Sequence, residues 1–123
     1  MVAQCAPLQG IALMLALVLF ASSLSAAAAF REGFYGGYYY ELVATCSEND
    51  VYIRTSCENR SYTAKASADI YRYRVGERYT TMGTESAKSS ISLESTFSFS
   101  PVFIISYHHI NGILIDSLHI DGN

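Results

Sequence analysis

The chain has 123 residues, a net charge of −3 at neutral pH, and ten tyrosines but no tryptophan. That length limits it to one domain. With 8 Lys and Arg against 11 Asp and Glu, it has no basic patch and nucleic acid is not an expected partner.

The first charged residue is Arg31. Residues 11–20 (IALMLALVLF) are unbroken apolar sequence, and residues 21–29 (ASSLSAAAA) are almost all small. An apolar core followed by small residues is the layout of a secretory signal peptide. The expectation is a signal helix over residues 1–29, cleaved near residues 26–29. No Lys or Arg precedes the core, so the alternative is an uncleaved membrane anchor over residues 11–30. That run reaches the roughly 20 residues that span a bilayer. The cleaved protein would be secreted, periplasmic or extracellular.

The remaining residues 30–123 form the single expected domain. FREGFYGGYYY (30–40) is aromatic, with a turn or joint at Gly36-Gly37. YYYELVATC (38–46) and VYIRTSC (51–57) are rich in strand formers and flank the turn cluster SEND. Cleavage would leave two cysteines, Cys46 and Cys57, and two cysteines in an exported chain suggest one disulfide. The geometry poses a choice. In a hairpin turning at SEND, Cys46 faces Val51 and Cys57 lies about 20 Å away at strand rise. A disulfide needs Cα atoms within about 7 Å. The expectation is therefore a bridge closing a bent segment, with the hairpin excluded.

Asn59-Arg60-Ser61 is an N-glycosylation sequon, meaningful in a eukaryotic source. Residues 61–75 read as one long strand or two short ones. Their end places Tyr71, Tyr73 and Val75 on one face and Arg72 and Arg74 on the other. The arginines are either a solvated face or part of a Tyr/Arg surface for sugars or acidic groups. Residues 76–90 are polar and read as a long loop or a polar edge hairpin. Ile91, Leu93, Phe97 and Phe99 alternate on one strand face, and Pro101 ends it.

Asn111-Gly112 is the preferred pair for a type I′ turn. Its unbroken register places His109 opposite Leu114, His108 opposite Ile115 and Tyr107 opposite Asp116. His108 and His109 then point to opposite faces, and His108 and His119 share a face too far apart for one ion. No metal site is expected, and no cofactor. His109 and Asp116 are diagonal neighbours, within reach of a His–Asp pair. The stretch from Gly112 to Ile120 (GILIDSLHI) resembles the G-x-x-I-D-S-L strand of jacalin-like lectin domains. The resemblance implies a β-prism that binds sugar. In that family the strand comes early, whereas here it comes last, and no position matches the family's C-terminal sugar-binding loop.

After residue 30 no stretch has helical periodicity. The domain is expected to be all-β, a small antiparallel sandwich or barrel of about six or seven short strands. Its expected function is a secreted binding module with a Tyr-rich surface (Tyr38, Tyr39, Tyr40, Tyr71, Tyr73, with Arg72 and Arg74). The partner would be a glycan, an envelope component or a protein. The alternatives are an exported hydrolase using His109 and Asp116, or a self-associating structural protein.

Overall fold

The computed structural model describes residues 27–73 and 76–122. Residues 1–26, and with them most of the expected signal segment, lie outside that range. So does Arg74.

Eight strands run through the described residues: β1 (Ala27–Tyr35), β2 (Tyr38–Ser47), β3 (Asp50–Cys57), β4 (Thr63–Tyr71), β5 (Thr80–Lys88), β6 (Ser90–Thr96), β7 (Phe103–Ile110) and β8 (Ile113–Asp121). They form two four-stranded antiparallel sheets, ordered β1-β2-β3-β6 and β5-β4-β7-β8. The all-β sandwich expected from alternation is the fold. The chain changes sheet between β3 and β4, between β5 and β6, and between β6 and β7.

Eight strands stand against the six or seven expected. β1 takes up residues 27–35 and so reaches back into Ala27–Ala29, small residues expected to belong to the signal segment. β5 occupies most of residues 76–90, which favours the polar edge over the long loop. It is an edge strand and buries one large apolar side chain, Met82. An edge strand needs no apolar stripe, because one side of its ladder meets solvent.

The inner faces interdigitate. Leu42, Ala44, Cys46, Val51 and Ile53 come from the first sheet, and Ala66, Ala68, Ile70, Ile104, Leu118 and Ile120 from the second. The period-2 burial of β3 and β4 follows their sequence alternation.

The cysteines resolve the geometric choice in favour of the hairpin. Ser47 pairs with Asp50, Cys46 with Val51, and Tyr40 with Cys57. Cys46 and Cys57 are free and buried, which corrects the expected bridge. SEND is a true two-residue turn, with Glu48 at φ 54°. Burial pushes the Cys46 thiol up to about 11, so it stays protonated and inert. After unfolding, both thiols should alkylate without any reductant. A mass shift that appears only after reduction would contradict the hairpin.

Asn111 and Gly112, at φ 52° and 78°, make the type I′ turn. The register below it departs from expectation. His109 pairs with Leu114, but His108 pairs with Asp116, and Ile115 bulges out between them. Every later residue of β8 therefore changes face. Leu118 and Ile120 turn inward beside Ser106 and Ile104, and His119 turns outward beside Ile105. The gain is apolar burial, since an unbroken register would have faced both side chains outward.

Candidate binding surface

Each polar residue singled out in the sequence has a definite place. His108 lies in the core, wholly buried between the sheets. Its Nδ1 is 2.8 Å from Thr55 Oγ1 on β3, and its Nε2 is 2.8 Å from Ser106 Oγ. Thr55 donates its one hydroxyl hydrogen to the Lys65 carbonyl at 2.9 Å. Thr55 Oγ1 can then only accept from His108, so the ring carries its hydrogen on Nδ1. Nε2 is bare and accepts from Ser106. The three side chains tie β3, β4 and β7 together through neutral hydrogen bonds. Burial holds His108 down to about 4, against the opposing pull of Asp116.

His109 faces outward, opposite Leu114 and Lys65. Its buried Nδ1 has no hydrogen-bond partner. Asp116 looks elsewhere: it pairs with Arg31 of β1 at 3.6 Å and accepts from the Ser117 amide. The bulge at Ile115 is the cause, because it shifts Asp116 from opposite Tyr107 to opposite His108. The structure does not bring His109 and Asp116 together as a catalytic pair.

The three tyrosines of β2 have three different roles. Tyr40 turns inward against the core, with its hydroxyl over Gly33. Tyr39 sits among carboxylates, with its hydroxyl 2.5 Å from Glu32 Oε1 and 2.9 Å from Glu41 Oε2. Partial burial and those acids keep it protonated well above its usual range. Glu41 is itself buried and paired with Arg54 at 3.8 Å. Tyr38 alone stays exposed, at 41%. It packs edge-on against Tyr62, as does Tyr35 from the other side of the Gly36-Gly37 turn. Phe34, 72% exposed, stands beside Tyr39. Asn111 binds Thr63 through its amide and its side chain, so the β7–β8 tip with exposed Ile113 and Leu114 lies at this same end. Asn59 is in the turn leading to Tyr62, where its side chain accepts from the Ser61 amide at 2.8 Å.

A second aromatic group forms where β4 ends. Tyr71 is the last residue of the strand, so Tyr73 does not share its face as alternation had implied. Arg72 leaves the strand and lies over Tyr73, Tyr79 and Phe99 at 5.8, 5.7 and 5.2 Å. All three are within cation–π range. Tyr71 stacks on Phe103, and Phe103 on His119. Beside Tyr71 opens a cleft lined also by Glu77, Arg78, Tyr79, Thr80 and Thr81. Sequence reading missed Tyr79, Phe99, Phe103 and His119 as members of this group. Their signal was the same aromatic excess, but only the crossover between sheets brings residues 79, 99 and 103 to one end.

Fold and surface together define the class: an antiparallel β-sandwich with aromatic clusters at its ends. Compared with protein-family models, curated proteins and solved structures, the chain matches none. Among the described residues, no three His, Cys, Asp or Glu side chains gather as a metal site.

Proposed function

We propose that the chain is exported and binds an extracellular ligand, a glycan, an envelope component or a protein, through its exposed aromatic side chains. One observation carries this reading. The large exposed rings lie at the two ends of the sandwich: Phe34 and Tyr38 stand at the β1–β2 end, on opposite faces of the sheet, and Tyr73 and Tyr79 stand together around Arg72 beyond the end of β4. Tyrosine and phenylalanine suit contact surfaces, because each offers a large, rigid area at low entropic cost. Grouped exposure of this kind marks interaction sites more often than scattered exposure does.

The signal-like order of residues 11–29 supports export. The strand pattern is compatible with it: β1 starts at Ala27, so a cut just before that residue would leave the strand whole. The hydrolase alternative loses its pair, since Asp116 answers to Arg31 and not to His109.

The test is an array of glycans and extracellular proteins, probed with the exported protein and two variants, Phe34→Ser/Tyr38→Ser and Tyr73→Ser/Tyr79→Ser. The expected result is ligand binding weakened about tenfold or more in at least one variant, with native melting retained. Equal binding by all three proteins would overturn the reading.

A further inference from the structure

We infer that the cleft beside Tyr71 is a site for an uncharged saccharide, an inference that rests on the surface-binding reading. The cleft has a volume of about 680 Å³, in the range of roughly 300–1,000 Å³ typical of small-ligand sites. It is lined by Tyr71, Glu77, Arg78, Tyr79, Thr80 and Thr81. Each of these side chains carries a polar group, and none is aliphatic.

Two of the walls are rings already fixed by packing. Tyr71 is stacked on Phe103 at 4.2 Å, and Phe103 on His119 at 5.0 Å. Tyr79 meets Phe99 edge-on at 4.8 Å and is capped by Arg72 at 5.7 Å. Groups ordered before binding lose little entropy when a ligand arrives.

A pyranose has a face of C–H groups and a rim of hydroxyls. The C–H face needs a flat ring, and the rim needs donors and acceptors together. The cleft offers both. Glu77 is acceptor-only, Arg78 is donor-only, and Thr80 and Thr81 are either. Thr80 pairs with Ile70 through the β4–β5 ladder, which leaves its hydroxyl at the cleft, and Arg78 lies close enough to Tyr107 to oppose the rise that burial imposes on that phenol. Thr81 donates to Asp69 at 3.1 Å and keeps its lone pairs for a ligand.

Charge decides against the other classes. Glu77 and Arg78 cancel, and the Arg72 guanidinium is covered by three rings. A phosphate or sulfate would meet Glu77, with Asp69 behind Thr81. A hydrocarbon would strip water from Glu77 and Arg78 without replacing it.

The experiment is an amide NMR titration of the exported protein with cellobiose, maltose, lactose and chitobiose, with sodium sulfate as the ionic comparison. At least one disaccharide should give saturable shifts centred on residues 71 and 77–81. That affinity should fall about tenfold or more in Tyr79→Ala and largely survive in Tyr79→Phe and in Phe34→Ser. Sulfate should leave the segment unmoved. Shifts confined to another part of the fold, or shifts with sulfate alone, would overturn the saccharide site. If no disaccharide moves the segment while the protein still binds an extracellular ligand, the site falls and the broader reading stands. If nothing binds at all, both fall.

Discussion

Replacing His108 by glutamine should remove most of the loss of stability that the protein suffers between pH 7 and pH 5. The folded ring titrates near 4, against about 6.5 when unfolded. Above about pH 6.5 both states hold the ring neutral, and the fold keeps its full stability. As pH falls below that value the unfolded chain takes up a proton that the folded chain refuses. Stability then declines until the folded ring also titrates near 4. Integrated from pH 7 to 5, the loss is about 2 kcal/mol. That is a large share of a typical total of roughly 5–15 kcal/mol. Glutamine can give an N–H to Thr55 and accept from Ser106, so it keeps both hydrogen bonds without the titration. His109 is also held below its usual range by burial and by Lys65, so a small slope should remain. Urea melts at pH 7, 6 and 5 measure the effect. A wild-type curve flat over that window, or a variant with the same slope as wild type, would place His108 in contact with solvent.

Truncating Ile53 to alanine should cost about 3–4 kcal/mol, the middle of the range for a buried aliphatic side chain. Ile53 is wholly buried at the centre of the first sheet, paired with Ala44 on one side and Leu93 on the other. Across the core it faces a strand whose inner residues include Ala64, Ala66 and Ala68. Those methyl groups are too short to reach into the vacated space, so the cavity stays open and its cost adds to the lost transfer energy. The melting temperature should drop by roughly 15 °C for a domain of this size. Ile53→Val removes one methyl group and should cost only about 1 kcal/mol. Thermal melts of the two variants test this together. A cost below about 1 kcal/mol for Ile53→Ala would mean that the sheets do not pack at this point.

Much of the architecture is legible in the sequence, because period-2 alternation reports which face of a strand is buried. Val51, Ile53 and Thr55 announced the inner face of β3, and Asn111-Gly112 announced the last turn. What escaped had physical reasons. β5 is polar because it is an edge. The bulge in β8 was written in the phase of its apolar residues: Ile113 and Ile115 sit at odd positions, Leu118 and Ile120 at even ones. Alternation cannot change phase without an extra residue. An unbroken register hid that shift, and with it came the false pairing of His109 with Asp116. Two cysteines in an exported chain point to a bridge, but two strand-forming runs around a two-residue turn hold Cys46 and Cys57 far apart along β2 and β3. The aromatic surface was the least legible part. Tyr38 and Tyr71 belong to it, whereas Tyr39 and Tyr40 are held by Glu32 and by the core. Composition reports how many rings a chain has, and only the fold decides which of them stay outside.

The exposed rings are proposed to bind a ligand outside the cell. The most direct measurement is a binding isotherm of the labelled exported protein on the intact outer surface of its source cells. The comparison is a variant in which Phe34, Tyr38, Tyr73 and Tyr79 are all serine. The expected result is saturable binding by the wild type and a loss of about a hundredfold or more in the variant, with both proteins melting alike. Superimposable isotherms, or no saturable binding by the wild type, would contradict it.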